Sequence, residues 1–259
     1  MRLIAGGDSA LGVQGIRAEA YTVWINALIT SAGGEVIENP EAPPDDVRLG
    51  LDTDAGREAA GVIQEIVDEG IAGPAFSTRN EDSTASLFES GGAMFMVNWP
   101  FVWPRGQGYV EAGTMDQQTL DDYGWAPYPA VVEGAESRPP LGGINLGISA
   151  FSRHKDLALD AVECIVGAEN QAYYFVSNGN PAVRESVYDD PEVVEAFPMA
   201  PTIRDSLQQA APRPQTPYYN EVSVGLQQTW HSPDSVSPES TPEESAKFIT
   251  AVLRKEALL

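Results

Sequence analysis

The stretch FESGGAMFMVNWPFVWP, residues 88–104, contains the signals that decide how this chain folds. It begins like the end of a helix, turns at a glycine pair into the strand-like run AMFMV, and ends in aromatic and proline residues. Core packing accounts for one large ring at the end of a strand. Trp99, Phe101 and Trp103 beside two prolines indicate that this loop also presents flat apolar surfaces to something else.

Several other stretches carry the start and stop signals of helices. Residues 52–74 have apolar side chains at helical spacing, with Gly70 where a C-cap glycine belongs. Asn80 and Asp190 are predicted N-caps, the second followed by a proline at the first helical position. Thr241, with a glutamate three residues later, predicts a capping box for the last helix.

Short strand-like stretches lie between these helices, including YGWAPYPA (123–130) and GGINLGISAF (142–151). Alternation of strands and helices predicts an α/β fold. Residues 133–143 and 231–244 are rich in Pro, Gly, Ser and Glu and are predicted loops. Neither loop has the character of a boundary between consecutive domains.

The formal net charge is −23, from 38 acidic and 15 basic residues. Phosphate backbones and anionic lipid surfaces are repelled by such a chain at long range, so nucleic acid is not an expected partner. Only Lys155, Lys247 and Lys255 are lysines. An acidic, lysine-poor chain is typical of proteins from salt-loving organisms, and an ordinary acidic secreted protein is the alternative interpretation.

Cys164 is the only cysteine, so an intrachain disulfide and a cysteine metal cluster are excluded. Its small apolar neighbours predict a buried thiol that packs as a hydrophobic group. His154 and His231 lie in hydrophilic surroundings without a second histidine at ligand spacing, and we predict no metal site and no cofactor.

No stretch approaches the roughly 18 apolar residues that a membrane span needs. Residues 1–12 lack the features of a signal peptide and a cysteine for lipid attachment. Two interpretations follow: a cytoplasmic protein, or an exported protein whose numbered chain lacks its export sequence.

The order of the elements along the chain resembles the family 1 extracellular solute-binding proteins of ABC transporters, specifically the sugar binders that include the maltose and trehalose receptors. The stretches that carry the resemblance are, in order, YTVWINALITSAGGEVIE, TDAGREAAGVIQEIVDEGI, FESGGAMFMVNWPFVW, YGWAPYPA, LGGINLGIS, NGNPAVRESVYDDPEV and PRPQTPYYNEVS.

The resemblance implies a type II periplasmic-binding-protein-like α/β fold with two lobes of interleaved connectivity, joined by crossing strands and closing over a sugar in their cleft. The implied second lobe comprises residues 13–139 and 206–259. Residues 1–12 and 140–205 would return to the first lobe, which is expected to be incomplete because its opening sheet and helices are absent from this chain.

The function implied is that of the substrate-binding component of an ABC transporter, which captures a di- or oligosaccharide and delivers it to membrane permease subunits. Such a protein is not an enzyme, acts as a monomer outside the cytoplasmic membrane in the periplasm or extracellular space, and is tethered through an N-terminal lipid anchor that this chain lacks. A carbohydrate-active enzyme such as a glycoside hydrolase is the rival class, although no recognisable carboxylate pair is present. A fragment that binds no ligand is a third interpretation.

A pyranose has an apolar face of C–H groups, and in this family aromatic rings stack on it. Trp99 is the first candidate for this contact, with Phe101 and Trp103 behind it. The alternative is that these rings plug the core of their lobe. In QGIRAEAY (14–21), the resemblance places Gln14 and Glu19 in the cleft, although a solvated glutamate at a helix start is equally ordinary.

Further candidates come from the later stretches. Gly142 and Gly143 would let backbone N–H groups approach the ligand, although strand geometry alone also explains both. Many relatives place a tryptophan where this chain has Ile144 and Asn145, and the loss of that ring leaves the particular sugar open. Arg213 offers a fork of donors to vicinal hydroxyls. Tyr218 and its neighbour Tyr219 are available to stack or to hydrogen-bond.

Overall fold

The computed structural model describes residues 10–259. Its strands are short: β1 (Leu11–Gly12), β2 (Phe95–Met96), β3 (Pro140–Leu141) and β4 (Ala211–Pro212). Its helices are α1 (Glu19–Ser31), α2 (Asp54–Asp68), α3 (Glu81–Glu89), α4 (Val102–Glu111), α5 (Gln117–Asp121), α6 (Lys155–Ile165), α7 (Ala168–Asn178), α8 (Pro191–Ala196), α9 (Ala200–Gln209), α10 (Tyr219–Thr229) and α11 (Thr241–Leu253). Within this range no helix combines the length and the apolar character that crossing a bilayer requires.

The described residues form two compact units that the chain enters and leaves more than once. Unit 1 comprises residues 10–98, 128–141 and 209–259. Unit 2 comprises residues 99–127 and 142–208. The connectivity is therefore interleaved, as the resemblance implies.

The boundaries of the units differ from the predicted lobes at residues 99–127, which pack in unit 2 instead of joining the residues before them. The reason is burial, because Trp103 and Leu120 belong to the same core cluster as Phe175. The other two crossings lie within about three residues of the predicted ones. Of the predicted first-lobe segment 1–12, residues 1–9 lie outside the described residues, and residues 10–12 belong to unit 1 with the residues that follow them.

Unit 1 contains two parallel two-stranded ladders. β1 pairs with β2 in the register Leu11 to Phe95, and β3 pairs with β4 in the register Pro140 to Ala211. Parallel pairing needs a long crossover connection. The chain between β1 and β2 contains the first three helices, so the unit is α/β in construction.

The core of unit 1 is built around α1, which is buried on almost every side. This helix packs against α2 and α10, and α10 in turn packs against α11. Tyr21, Ile25 and Ile29 of α1 are fully buried, as are Trp230, directly after α10, and Ile249 of α11. The ends of α1 and α10 are thereby held at fixed positions by apolar packing.

Unit 2 has its own aromatic core. The ring centroid of Phe175 lies 4.6 Å from that of Phe197 and 5.3 Å from that of Tyr188. Trp103 completes this core and donates its indole N–H to the carbonyl of Ala196 at 2.9 Å. By contrast, α6 has no buried residue, and Cys164 on it is exposed. The prediction of a buried thiol is therefore wrong, because the apolar neighbours that suggested burial are themselves exposed or only partly buried.

Most capping predictions are confirmed. Asn80 accepts from the N–H of Ser83 at 2.9 Å in a reciprocal capping box, and Asp190 caps α8. Gly70 has φ +64°, the left-handed conformation expected beyond a helix end. The capping box at Thr241 is wrong. Thr241 is the first helical residue instead, and its hydroxyl accepts from the N–H of Ser237 at 3.0 Å.

The strand predictions are only partly right. AMFMV contributes just Phe95–Met96, while residues 123–130 and 142–151 contain no β-strand. A strand requires a neighbouring chain for its N–H and C=O groups. Across residues 123–151, ladder pairing is found only at Pro140 and Leu141, which pair with Ala211 and Pro212.

Candidate functional site

Unit 1 brings three polar side chains together at the starts of two packed helices. Glu19 is the first residue of α1, Tyr219 is the first residue of α10, and Arg213 directly follows β4. A carboxylate in the first turn of a helix is stabilised by the helix dipole. Because α1 and α10 pack against each other, their N-terminal side chains have a fixed separation.

Glu19 is the centre of this group. Its Oε1 accepts hydrogen bonds from Arg213 Nη1 and from the Tyr219 hydroxyl. Its Oε2 accepts from Ser223 Oγ at 2.5 Å. The Arg213 guanidinium carbon also lies 5.7 Å from the centroid of the Tyr219 ring, within cation–π distance. We call Glu19, Arg213, Tyr219 and Ser223 the Glu19 cluster.

The Glu19 cluster is partly accessible to solvent, with 30% of the Arg213 side chain and 44% of the Glu19 side chain exposed. Burial, together with the hydrogen bond to Glu19, raises the pKa of Tyr219 to about 12. The phenol therefore remains protonated and acts as a donor at neutral pH. The cluster thus presents a guanidinium, a phenol and a carboxylate at one accessible place, a set suited to binding hydroxyl groups.

A buried polar network continues inward from the Glu19 cluster between α1 and α10. Ser223 Oγ lies 3.0 Å from Thr22 Oγ1 and accepts from Gln227 Nε2 at 3.0 Å. Thr22 Oγ1 is also within 3.2 Å of the Ser223 carbonyl oxygen. Thr22 and Ser223 are buried, so these bonds satisfy groups that have little access to water.

Sequence reasoning missed Ser223, Thr22 and Gln227. A usable signal is present, because Tyr219, Ser223 and Gln227 recur every four residues and therefore share one face of α10. On α1, Glu19 and Thr22 share a face in the same way. Two polar faces on otherwise apolar helices indicate a polar seam where the helices meet.

Gln14 does not belong to this accessible group. Its side chain is only 4% exposed, and its Nε2 donates to the carbonyl of Val97 at 2.8 Å. This bond links the segment after β1 to the segment after β2. The prediction of Gln14 as a ligand-binding residue is corrected by its burial, since its amide holds the backbone of unit 1 together.

The tyrosine pair after Arg213 divides between two roles. Tyr219 joins the Glu19 cluster, whereas the candidate Tyr218 is partly buried against the apolar core of unit 1. The ionic partner of Glu19 is Arg213. That partner is 194 positions away in the sequence.

The remaining candidates lie in unit 2. Trp99 is partly buried, and a Cβ at Gly142 would lie 3.8 Å from its Cζ3, so the indole rests beside the Gly142 backbone. Phe101 is partly buried and immediately precedes α4. Gly143 and Asn145 are exposed.

Trp103 fills the core of its unit, which is the alternative interpretation given above for these rings. It is buried in the core of unit 2, its indole N–H is used by Ala196, and the ring of Trp125 meets it edge-on at 6.0 Å. The prediction that Trp103 binds the ligand is therefore corrected. Across residues 10–259, no three or more His, Cys, Asp or Glu side chains are grouped so that they could hold a metal ion.

Residues 5–172 match the family model described as bacterial extracellular solute-binding protein, and the protein belongs to this family. A probable ABC transporter-binding protein of Deinococcus radiodurans is 28% identical over 249 residues, which are 93% of this chain and 55% of the relative.

Two solved structures are similar in fold. Maltose-bound MalE3 of T. maritima has a TM-score of 0.77 at 25% identity, covering 96% of this chain and 61% of MalE3. The GacH receptor of Streptomyces glaucescens, whose structures include an acarbose complex, has a TM-score of 0.71 at 23% identity, covering 96% and 59%. The fold is that of type II periplasmic binding proteins, and the chain spans about three fifths of the length of these two.

Proposed function

We propose that the protein binds a di- or oligosaccharide as the substrate-binding component of an ABC transporter and catalyses no reaction. The observation that carries the proposal is the accessible Glu19 cluster, in which donors and an acceptor suited to hydroxyl groups meet on a solute-binding fold. Support comes from the relatives, since the similar structures are described as binding maltose or acarbose.

Arg213 is the residue that we propose donates to vicinal hydroxyls. A guanidinium has five N–H donors in one plane. Arg213 is hydrogen-bonded to Glu19 and to Tyr219, which leaves further N–H donors of its fork for a ligand. Tyr219 supplies a hydroxyl beside it. In unit 2, we propose that Trp99 stacks on the C–H face of a sugar ring, with Phe101, Gly142, Gly143 and Asn145 of the same unit as further candidates.

We further propose that the protein works as a monomer outside the cytoplasmic membrane, held there by a lipid anchor, and that permease subunits accept the sugar from it. The family description as extracellular and the ABC-transporter relative support this location and partner. Deleting the gene is expected to abolish uptake of the bound sugar by the source organism. Unchanged uptake would contradict the transport role.

Calorimetric titration with maltose, trehalose and maltotriose tests sugar binding directly. We expect saturable binding of at least one sugar at micromolar affinity, about −8 kcal/mol, and no release of monosaccharide on long incubation. Arg213→Ala should abolish most of the affinity, whereas Arg48→Ala should not. Arg48 is a suitable control because it forms an exposed ion pair with Glu38 elsewhere on unit 1.

Trp99→Ala is expected to lower affinity by roughly 1–3 kcal/mol, the cost of losing a stacking contact. Tyr173→Ala removes an exposed aromatic ring of α7 and serves as its control. A folded chain that binds none of the three sugars would refute the proposed function. Release of glucose would instead favour a carbohydrate-active enzyme.

A further inference from the structure

Most of the hydrogen-bonding capacity of Glu19 is already used by the protein itself. An ionised carboxylate accepts at about four lone-pair positions. Arg213 and Tyr219 occupy positions on Oε1, and Ser223 occupies one on Oε2. A sugar hydroxyl that approached Glu19 would therefore compete with three donors that are already in place.

The donors around Glu19 are themselves held. Ser223 is buried and is hydrogen-bonded to Thr22 and to Gln227, and these two bonds fix the position of its hydroxyl. Tyr219 is the first residue of the same helix. Because α1 and α10 pack together, this set of bonds holds the Glu19 carboxylate in one position instead of leaving it to follow a ligand.

The Arg213 side chain is 30% exposed, and Arg213 directly follows a strand rather than lying in a helix. Its planar fork can rotate about several side-chain bonds, so its direction has to be fixed by a partner. Glu19 is that partner. The same contact also places a negative charge directly against the positive charge of Arg213.

This pairing affects the kind of ligand that the cluster selects. An unpaired arginine attracts a carboxylate or phosphate group strongly. Arg213 already has a carboxylate partner, and the whole chain carries a formal charge of −23. An anionic sugar would therefore face repulsion from Glu19 and from the protein field, whereas a neutral sugar can use the remaining donors of Arg213.

We propose that Glu19 is a positioning residue: it holds Arg213 and Tyr219 in place for the ligand and neutralises Arg213, so that the site takes neutral sugars and rejects anionic ones. The inference rests on the proposed function and changes the role first predicted for Glu19, from a direct ligand to a residue that acts through Arg213.

Glu19→Gln is the decisive variant, with maltose and the anionic maltobionate as probes in calorimetric titrations. The wild type is expected to prefer maltose at least tenfold. The variant should bind maltose roughly tenfold more weakly than the wild type, the usual scale for losing a charged hydrogen bond. Its affinity for maltose should exceed its affinity for maltobionate by less than about threefold. Glu58→Gln, on the exposed face of α2, removes one charge elsewhere and should leave both affinities unchanged.

A double-mutant cycle separates positioning from direct contact. In an Arg213→Ala background, Glu19→Gln should change maltose affinity less than about twofold. An equal loss in both backgrounds, or an unchanged preference for maltose, would overturn the proposal. Ser223→Ala keeps the charge of Glu19 but removes its buried partner, and should weaken maltose binding without changing the preference.

A readout without sugar keeps this inference distinct from the proposed function. Absorbance titration at alkaline pH follows Tyr219, identified by its loss in Tyr219→Phe. Glu19→Gln should lower the pKa of Tyr219 from about 12, because the hydrogen bond to the carboxylate contributes to raising it. If the pKa of Tyr219 shifts but the wild type binds neither maltose nor maltobionate, the proposed function is refuted while the positioning role of Glu19 stands. If the titration of Tyr219 is unchanged, Glu19 does not position it and the inference fails.

Discussion

Gly225→Ala tests whether the close packing of α10 on α11 is correct. Gly225 is buried on α10, and an added Cβ would lie 2.5 Å from Cγ1 and 3.2 Å from Cδ1 of Ile249 on α11. Ile249 is fully buried and β-branched, so it has little freedom to move aside. Overpacking of this kind costs about 1–3 kcal/mol. Alanine regains about 0.5–1 kcal/mol of helix propensity, which leaves a net loss of roughly 1–2 kcal/mol.

The same substitution at Gly61 should have the opposite effect. Gly61 lies in the interior of α2, and the nearest atom to an added Cβ is Pro238 Cγ at 3.9 Å, an ordinary contact distance. Only the propensity term remains, so Gly61→Ala is expected to stabilise unit 1 by about 0.5–1 kcal/mol. The pair thus compares one chemical change in two packing environments of the same unit.

Calorimetric melting of the two variants and the wild type measures both effects. For a domain of this size 1 kcal/mol corresponds to roughly 2–4 °C in Tm, so Gly225→Ala should melt about 2–8 °C lower and Gly61→Ala about 1–4 °C higher. Sugar affinity adds a second readout, because Ser223 lies one half-turn before Gly225 and a displaced α10 would disturb the Glu19 cluster. Shifts of the same sign in both variants would refute the packing argument.

Three further expectations concern pH, capping and exposure. The pKa of Tyr219 is raised from 10.0 to about 12, so its contribution to stability is complete below pH 10 and is lost as pH rises toward 12. In urea titrations over that window, the free energy of unfolding of Tyr219→Phe should fall by roughly 1–2 kcal/mol less than that of the wild type, and equal falls would contradict this. Asn80→Ala should cost about 1 kcal/mol because a capping box is lost, whereas Ser240→Ala should have little effect since Ser240 makes no side-chain cap; urea midpoints compare them. Cys164 is exposed, so a thiol reagent should label the folded protein fully, and labelling only after unfolding would show that the thiol is buried.

Local signals in the sequence were the reliable ones. The capping box at Asn80 involves residues three positions apart, and the C-cap at Gly70 depends on the conformation of one glycine, so short-range chemistry decides both. Thr241 shows where such signals stop. The hydroxyl of Thr241 accepts from the backbone N–H of Ser237, four residues earlier, instead of capping the helix. The N-cap position is therefore Ser240.

Strands could not be predicted with the same success because a strand depends on a partner elsewhere in the chain. The alternating apolar side chains of Ile144, Leu146 and Ile148 are those of a half-buried strand, yet all three are exposed in the structure. Within residues 10–259 nothing pairs with that segment. The alternation of apolar residues is present in the sequence, but a ladder forms only where a second strand is available to pair.

The residues of the candidate site were partly foreseeable one at a time, but their contacts were not. The resemblance pointed to Glu19 and to Arg213 separately, and nothing in the spacing of two residues 194 positions apart indicates that they touch. Trp103 shows the opposite error. An aromatic beside two prolines suggested a binding surface, whereas the helical position of Trp103 on α4 turns it into the core of unit 2.

The polar seam between α1 and α10 has a cost that argues for a role beyond holding the helices together. Apolar residues would join two buried helices at least as well. Instead Thr22, Ser223 and Gln227 occupy the seam, and Nδ2 of the nearby buried Asn26 has no hydrogen-bond partner within residues 10–259, a loss of about 1–3 kcal/mol. The seam leads directly to Glu19 through Ser223. The polar residues between α1 and α10 therefore lower stability but hold the Glu19 carboxylate in one position. A carboxylate held in this way fixes the direction of Arg213, and we propose that this direction decides which sugar binds.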